Sequence, residues 1–330
     1  MHDLAIITVA IGDPRWIRAA LPTVFAHLGE LDADVVVVDV GADGANADVV
    51  AQEFPRARAV RSANHGFGYG NNSGLITCDA RYVLFLNPDT EILEGSFEDL
   101  VRLMDSNPTI GLAGCRQITG EGRLDTTIRY FPNALRAIGE ALAADRLPGR
   151  RPRWLGEREL DPGAYDRQTA CDWTSGSYML VRREALDSAG WFDERFFLFC
   201  EEIDLCRRIR TAGWEIVHLP QMTILHHDGR AGVQPHLESL AAHARRLYAR
   251  KHLSPVQRPV YLATVMLRHA LRAIYAGRGP DGRARRDASR AVVATLVGRR
   301  PVPFAAITCA TAMSDRRSVV TSPARVATRA

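Results

Sequence analysis

The strongest constraint on this chain is the spacing of its short, uniformly apolar runs. LAIITVAI at 4–11, DVVVVDV at 34–40, RAVRS at 58–62 and YVLFLN at 82–87 are separated by helical stretches near 14–28, 47–54 and 71–78. β-branched runs without polar alternation fit strands buried on both faces. The chain is therefore expected to be α/β, with a doubly wound, mostly parallel sheet covered by helices on both sides. Ligands of such sheets sit at the carboxyl ends of the strands, which directs attention to VGADG after the second run, ANHGFGYGNN after the third and NPDTEI after the fourth.

Between about 120 and 167 this pattern weakens and reads as a long excursion or mobile loop region, a kind that is often functional. Regular signals return with SYMLVRREALDSAGWF, a strand then a short helix, with IDLCRRIRTAGW, a helix ending at Gly, and with the strands EIVHL and MTILHH.

Composition narrows the class. The 330 residues are 46% hydrophobic and 24% charged, an ordinary globular balance that argues against disorder and coiled coil. No run approaches the ~18–20 apolar residues of a spanning helix, and the first residues read as a strand rather than a signal peptide. The six cysteines, at 78, 115, 171, 200, 206 and 309, show no CxxC spacing, as expected of a protein in a reducing cytoplasm without a zinc site. Of 42 basic residues only Lys251 is lysine, a bias that fits a GC-rich genome. The net charge of +4 conceals a gradient: residues 235–330 hold 18 basic against 4 acidic residues, leaving 24 against 34 before them. The chain divides accordingly into an acidic body, 1–233, and a basic, mainly helical extension, 234–330, with an expected disordered end.

Several constellations carry chemistry, each beside a plainer alternative. Asp39 closes a strand ahead of Gly41 and either holds a ribose or base or caps the next helix. Residues 64–72, with Asn64, Gly66 and Asn72, lack the GxGxxG order and form either a nucleotide-facing loop or a Gly-rich turn. Asn87 and Asp89 end a buried strand, where a carboxylate is costly unless paired or metal-bound. Glu201, Glu202 and Asp204 begin a helix beside Phe196, Phe197 and Phe199. Acids there suit the helix dipole, but a raised pKa among them would make a general base. His226 and His227 end another strand and point to opposite faces, so one at most serves a site.

Taken in this order, VVVVDVGADG, NHGFGYGNNSG, YVLFLNPDTEI, DWTSGSYMLVRRE, GWFDERFFLFCEEIDLCRRIRTAGW and HHDGRAG resemble the family 2 glycosyltransferases of the GT-A fold, most closely their rhamnosyltransferase-like branch. The resemblance covers about 3–233. It implies inverting transfer from a nucleotide-diphosphate sugar, with rhamnose from dTDP-rhamnose as best choice, to a hydroxyl of a glycan or polyprenyl-linked acceptor. It further implies that Asp39 and Gly41 hold the base or ribose, and that Asn64, Gly66 and Asn72 line the nucleotide pocket. Asn87 and Asp89 would meet the diphosphate, Asp89 and His226 an Mg²⁺ or Mn²⁺, and Trp173, Gly176 and Ser177 the sugar and acceptor. Glu202 falls at the position of the catalytic base, with Glu201 as substitute and Asp204 nearby. Val40, Ala42 and Glu202 itself depart from the usual Asn, Ser and Asp.

The tail adds a location. Residues 259–276 form a basic amphipathic helix that either packs on the catalytic domain or lies on an anionic membrane, so a cytoplasmic protein peripheral to the inner face of the plasma membrane is expected. Nucleic acid is not expected, because no recognition motif accompanies the charge. Two further readings remain: a sugar nucleotidyltransferase, disfavoured by the absence of a Gly-rich basic triphosphate loop after the first strand, and a non-catalytic sugar-nucleotide-binding subunit.

Overall fold

A computed structural model describes residues 1–142, 152–227, 235–277 and 279–298. The N-terminal half builds β1 (His2–Ala10), α1 (Arg15–Ala26), β2 (Ala33–Asp39), α2 (Ala45–Glu53), β3 (Ala57–Arg61), α3 (Phe67–Leu75), β4 (Ala80–Leu86), β5 (Thr90–Glu94), α4 (Phe97–Ser106) and β6 (Ile110–Thr119). Then follow α5 (Ala134–Ala141), β7 (Thr169–Ala170), β8 (Tyr178–Arg182), α6 (Arg183–Ala189), α7 (Glu201–Thr211), β9 (Glu215–His226), α8 (Pro235–His252), α9 (Gln257–Ile274) and α10 (Pro280–Leu296).

One sheet of nine strands runs in the order β3-β2-β1-β4-β8-β6-β9-β5, with β7 on β9. The first four pair in parallel and β6 and β9 share their direction, while β8, β5 and β7 run against it. The mostly parallel α/β sheet is thus as the sequence implied. Leu4, Ile6, Val35 and Val37 feed one buried cluster and Ala5, Ile7, Val36 and Val38 the other, which is why these strands read as unbroken apolar runs. Residues 215–219 and 222–226, which look like two strands in the sequence, are one: a register shift opposite Cys115 and Arg116 absorbs the intervening residues.

This topology gathers the site on one edge. The carboxyl ends of β2, β3, β4, β6 and β9 and the amino end of the reversed β8 all lie there, and the Asn87 N–H donates to Ser177 O at 3.0 Å, closing β4 against β8.

Gly68, Gly70 and Gly74 serve packing. They belong to α3, where a Cβ at Gly70 would stand 2.8 Å from Val9 Cγ1 and one at Gly74 2.7 Å from Ile7 Cγ2. The helix lies so close to the sheet that no larger residue fits, which corrects the expectation of a nucleotide-facing loop through 72.

The extension packs on this body: Tyr248, Ala249, Leu253, Tyr261 and Val265 share a buried cluster with Ile203 and Cys206 of α7. Within 120–167, Arg129 pairs with Arg158 and Trp173, α5 follows, and 143–151 lie outside the described residues. So do Asp228 and 299–330, the tail's end. No described helix is long and apolar enough to cross a membrane.

Candidate active site

The carboxylates divide into those that hold the protein together and those that remain available for chemistry. Asp39 is 1% exposed, and its two oxygens accept the N–H of Gly41 and of Ala47, both at 2.8 Å. It caps the first turn of α2 across the loop, so its helix-cap alternative is realised. Asn72 is likewise committed. Its amide donates to Phe192 O and Glu194 Oε1, each at 2.9 Å, and accepts the Phe192 N–H at 3.1 Å, so it anchors the 191–200 loop instead of lining a pocket.

Asp204, expected among the catalytic acids, is also structural. Fully buried, it accepts from Arg208 Nε at 2.9 Å and lies 2.6 Å from both His252 Nε2 and Lys251 Nζ. Burial works against its ionisation, but these partners outweigh that and hold its carboxyl below the usual range. The same ammonium reaches Asp193 Oδ2 at 2.7 Å. The single lysine of the chain therefore ties α8 to both flanks of the 193–204 segment.

That segment is built to present α7. Gly66 has φ +106°, and a Cβ there would fall 2.2 Å from Phe197 O, so the 64–67 turn presses directly on this loop. The Phe67 N–H donates to Phe197 O at 2.9 Å and Asn64 Oδ1 receives the Gly66 N–H at 3.3 Å. Phe199 and Cys200 then adopt φ +72° and +64°, two successive side-chain-bearing residues in the left-handed region, at a cost of roughly 1–2 kcal/mol each. This turn starts α7 with Glu201 and Glu202.

The two glutamates, one position apart on the helix, face different surroundings. Glu201 is 4% exposed, its Oε2 has no hydrogen-bond partner among the described residues, and burial followed by the charge of Glu202 holds its carboxyl protonated well above the usual range. Glu202 is half-buried and stands over Gly176, whose Cβ position is 3.6 Å from Glu202 Cβ and 3.8 Å from Phe67 Cε1.

Across the edge, Ser177 Oγ donates to Gln117 Oε1 at 2.7 Å. Gln117, fully buried, has an Nε2 with no partner among the described residues. The residue went unnoticed in the sequence because nothing distinguishes a lone Gln at a strand end. Trp173 is 7% exposed and donates its indole N–H to Tyr130 O at 3.0 Å.

The fold brings Asp89 and His226 together. Thr90 pairs with His226 across β5 and β9, and His226 Nε2 lies 3.5 Å from Asp89 Oδ1. His227 turns the other way, to Glu91 Oε1 at 2.6 Å and the Trp16 ring at 5.1 Å. No group of three or more His, Cys, Asp or Glu converges among the described residues. One carboxylate and one imidazole suit a divalent cation whose other positions belong to water and phosphate oxygens.

The chain is 29% identical over 233 residues, 66% of its own length and 74% of the relative's, to an N-acetylglucosaminyl-diphospho-decaprenol L-rhamnosyltransferase of Mycobacterium tuberculosis. It is 24% identical over 193 residues, 55% and 69% of the two chains, to the rhamnosyltransferase WbbL of Escherichia coli. A mannosyltransferase from Pyrobaculum calidifontis, solved with GDP-Man and Mn²⁺, superimposes with TM-score 0.51 at 15% identity over 98% of this chain and 81% of that one. GalNAc-T7, solved with UDP, GalNAc and Mn²⁺, does so with TM-score 0.56 at 11% identity, covering 88% and 54%. These two establish the GT-A fold. The profile of "Glycosyl transferase family 2" matches residues 5–188, and the chain belongs to that family of glycosyltransferases, in its rhamnosyltransferase-like branch.

Proposed function

We propose that the protein transfers a sugar, rhamnose from dTDP-rhamnose as first choice, to a hydroxyl of a lipid-linked glycan with inversion at the anomeric carbon. The observation that carries this reading is Glu202 over Gly176 and Phe67, beside a Glu201 kept neutral by burial. Glu202 takes the proton of the acceptor hydroxyl as that oxygen attacks the anomeric carbon, and the bond to the departing diphosphate breaks on the opposite face. Inversion needs one base and no enzyme nucleophile. Asp89 and His226 would hold the Mg²⁺ or Mn²⁺, which supplies positive charge for the leaving diphosphate. Gln117 and Ser177 fix the floor beneath the sugar, and the Gly66–Phe197 contact keeps the nucleotide side of the edge against the base.

The donor and acceptor are supported by the relatives' names, one of which specifies an N-acetylglucosaminyl-diphospho-decaprenol acceptor. A place at the inner membrane surface is supported by the outer side of α9. Its face with Tyr261, Val265 and His269 is buried, whereas Val260, Leu267 and Ile274, spaced by seven, are 42%, 54% and 72% exposed. With the half-exposed Arg268 and Arg272 on the same helix, this is an apolar stripe beside basic side chains.

The test is release of nucleoside diphosphate from a panel of sugar nucleotides, with and without chelator. Glu202→Gln is expected to lower kcat by about 10²–10⁴-fold with donor affinity retained, and Asp89→Asn to raise the metal requirement. Full activity in both variants would refute the assignment.

A further inference from the structure

Arginine is nearly the only cation of this chain, and several of its part-buried arginines close on oxygen. Arg136 reaches Phe131 O at 2.7 Å, Arg182 the carbonyls of Met104 and Ile110 at 2.6 and 3.1 Å, and Arg208 Asp204 together with Ala189 O. Arg129 does not. It is part-buried, forms no ion pair and no side-chain hydrogen bond among the described residues, and its Nε is wholly enclosed without a partner. Burial, then the charge of Arg158, disfavours its protonated form. Such a guanidinium is costly to maintain unless an anion completes it.

The local pairing shows where that anion would lie. Arg129 bridges antiparallel to Trp173 on one side and to Arg158 on the other. Residues directly opposite in antiparallel pairs share a face, so indole, guanidinium and guanidinium form a row, with Arg129 Cζ 5.4 Å from the Trp173 ring centroid. Ile128 and Tyr130 turn into the core instead. The acids nearest Arg129, Asp125 and Glu157, act on it through space only, and Glu157 is itself raised to about 7 by burial and by Glu140. Trp173 stands three residues before Gly176, at most about 10 Å of extended chain. The row is therefore joined by a short stretch of chain to the Gly176 floor beneath Glu202.

We propose that Arg129 and Arg158, beside Trp173, form a diphosphate subsite that receives the diphosphate of a prenyl-linked acceptor, one sugar ring away from the hydroxyl deprotonated by Glu202. Two planar forks grip adjacent phosphates in a way that a single cation does not. The assignment of this diphosphate to the acceptor rests on the acceptor reading above; the anion chemistry stands without it.

Binding is measured by calorimetry on the full chain with farnesyl diphosphate, farnesol and dTDP with Mg²⁺ as probes, in wild type, Arg129→Met, Arg129→Lys and Arg158→Met, each checked by thermal melting. Wild type should bind farnesyl diphosphate well above farnesol. Arg129→Met should weaken it about ten- to a hundredfold, Arg129→Lys should recover part and Arg158→Met should lose less, while dTDP affinity stays unchanged. Unaltered farnesyl diphosphate binding by a folded Arg129→Met protein, or no preference of wild type for the diphosphate over farnesol, would overturn the subsite. Loss of dTDP binding instead would overturn its assignment to the acceptor. None of these readouts needs turnover, so failure of the donor panel would sink the transferase reading and the acceptor assignment without touching the diphosphate subsite itself.

Discussion

Lys251→Met is the most informative single perturbation outside the catalytic groups. The ammonium bridges Asp193 and Asp204, with side-chain exposures of 13% and 0%. Removing one partner of a buried pair costs about 3–5 kcal/mol when the other is left alone. Here Asp204 keeps Arg208 and His252, and Asp193 keeps Arg195, so the loss should be lower, about 2–3 kcal/mol. At roughly 2–4 °C per kcal/mol, thermal melting should fall by about 4–12 °C. The two carboxylates flank Phe199 and Cys200, whose left-handed turn aims Glu201 and Glu202, so kcat should fall about tenfold or more while donor KM changes little. Lys251→Arg should recover only part, since a planar fork engages one carboxylate better than it bridges two. The pH dependence is an independent check. Asp193 and Asp204 are both held below the usual carboxylate range, so their contribution is present above about pH 4 and fades as acid protonates them in the folded state. The gap in melting temperature between variant and wild type should be constant from about pH 5 to 8 and narrow below about pH 4. A variant that melts and turns over like wild type, or a gap that widens on acidification, would refute the reasoning.

Glu201 behaves oppositely. Its raised folded-state pKa means that its contribution is whole below about pH 4.3 and declines as pH rises through the folded value, so Glu201→Gln should melt above wild type at pH 8 and lose that advantage by pH 4; equal melting at both would show that Glu201 is not held neutral. Gly66→Ala places a Cβ against Phe197 O in a left-handed backbone and should cost at least about 2 kcal/mol and raise donor KM, measured by melting and steady-state kinetics. Leu267→Asp with Ile274→Asp should abolish co-sedimentation with anionic liposomes at low salt while leaving melting unchanged; undiminished binding would reject the α9 face.

How far the sequence disclosed this site follows from where each side chain finds its partner. Strands buried on both faces announce themselves locally, as uniform apolar runs, so the parallel half of the sheet was legible. β6, with its glycines, cysteine and arginine, was not, because its small and polar residues are accommodated by neighbours distant in the chain. The same distinction sorts the polar groups. Asp39 could be weighed as a helix cap from its own neighbourhood, since its acceptor role is fulfilled within eight residues. Asn72 spends its amide on Phe192, 120 residues away, and Asp204 its charge on Lys251 and His252, so nothing beside either in the sequence revealed that it was already occupied. Glu201 and Glu202 lie about 100° apart on a helix, and choosing between them required knowing which direction is inward. That direction is set by two left-handed residues no local propensity would favour, held by a loop pinned through Gly66, Asn72 and Lys251. The single lysine, visible in the composition only as a bias, proved to be one of the fasteners of that loop, because its partners Asp193 and Asp204 lie about fifty residues away in the chain.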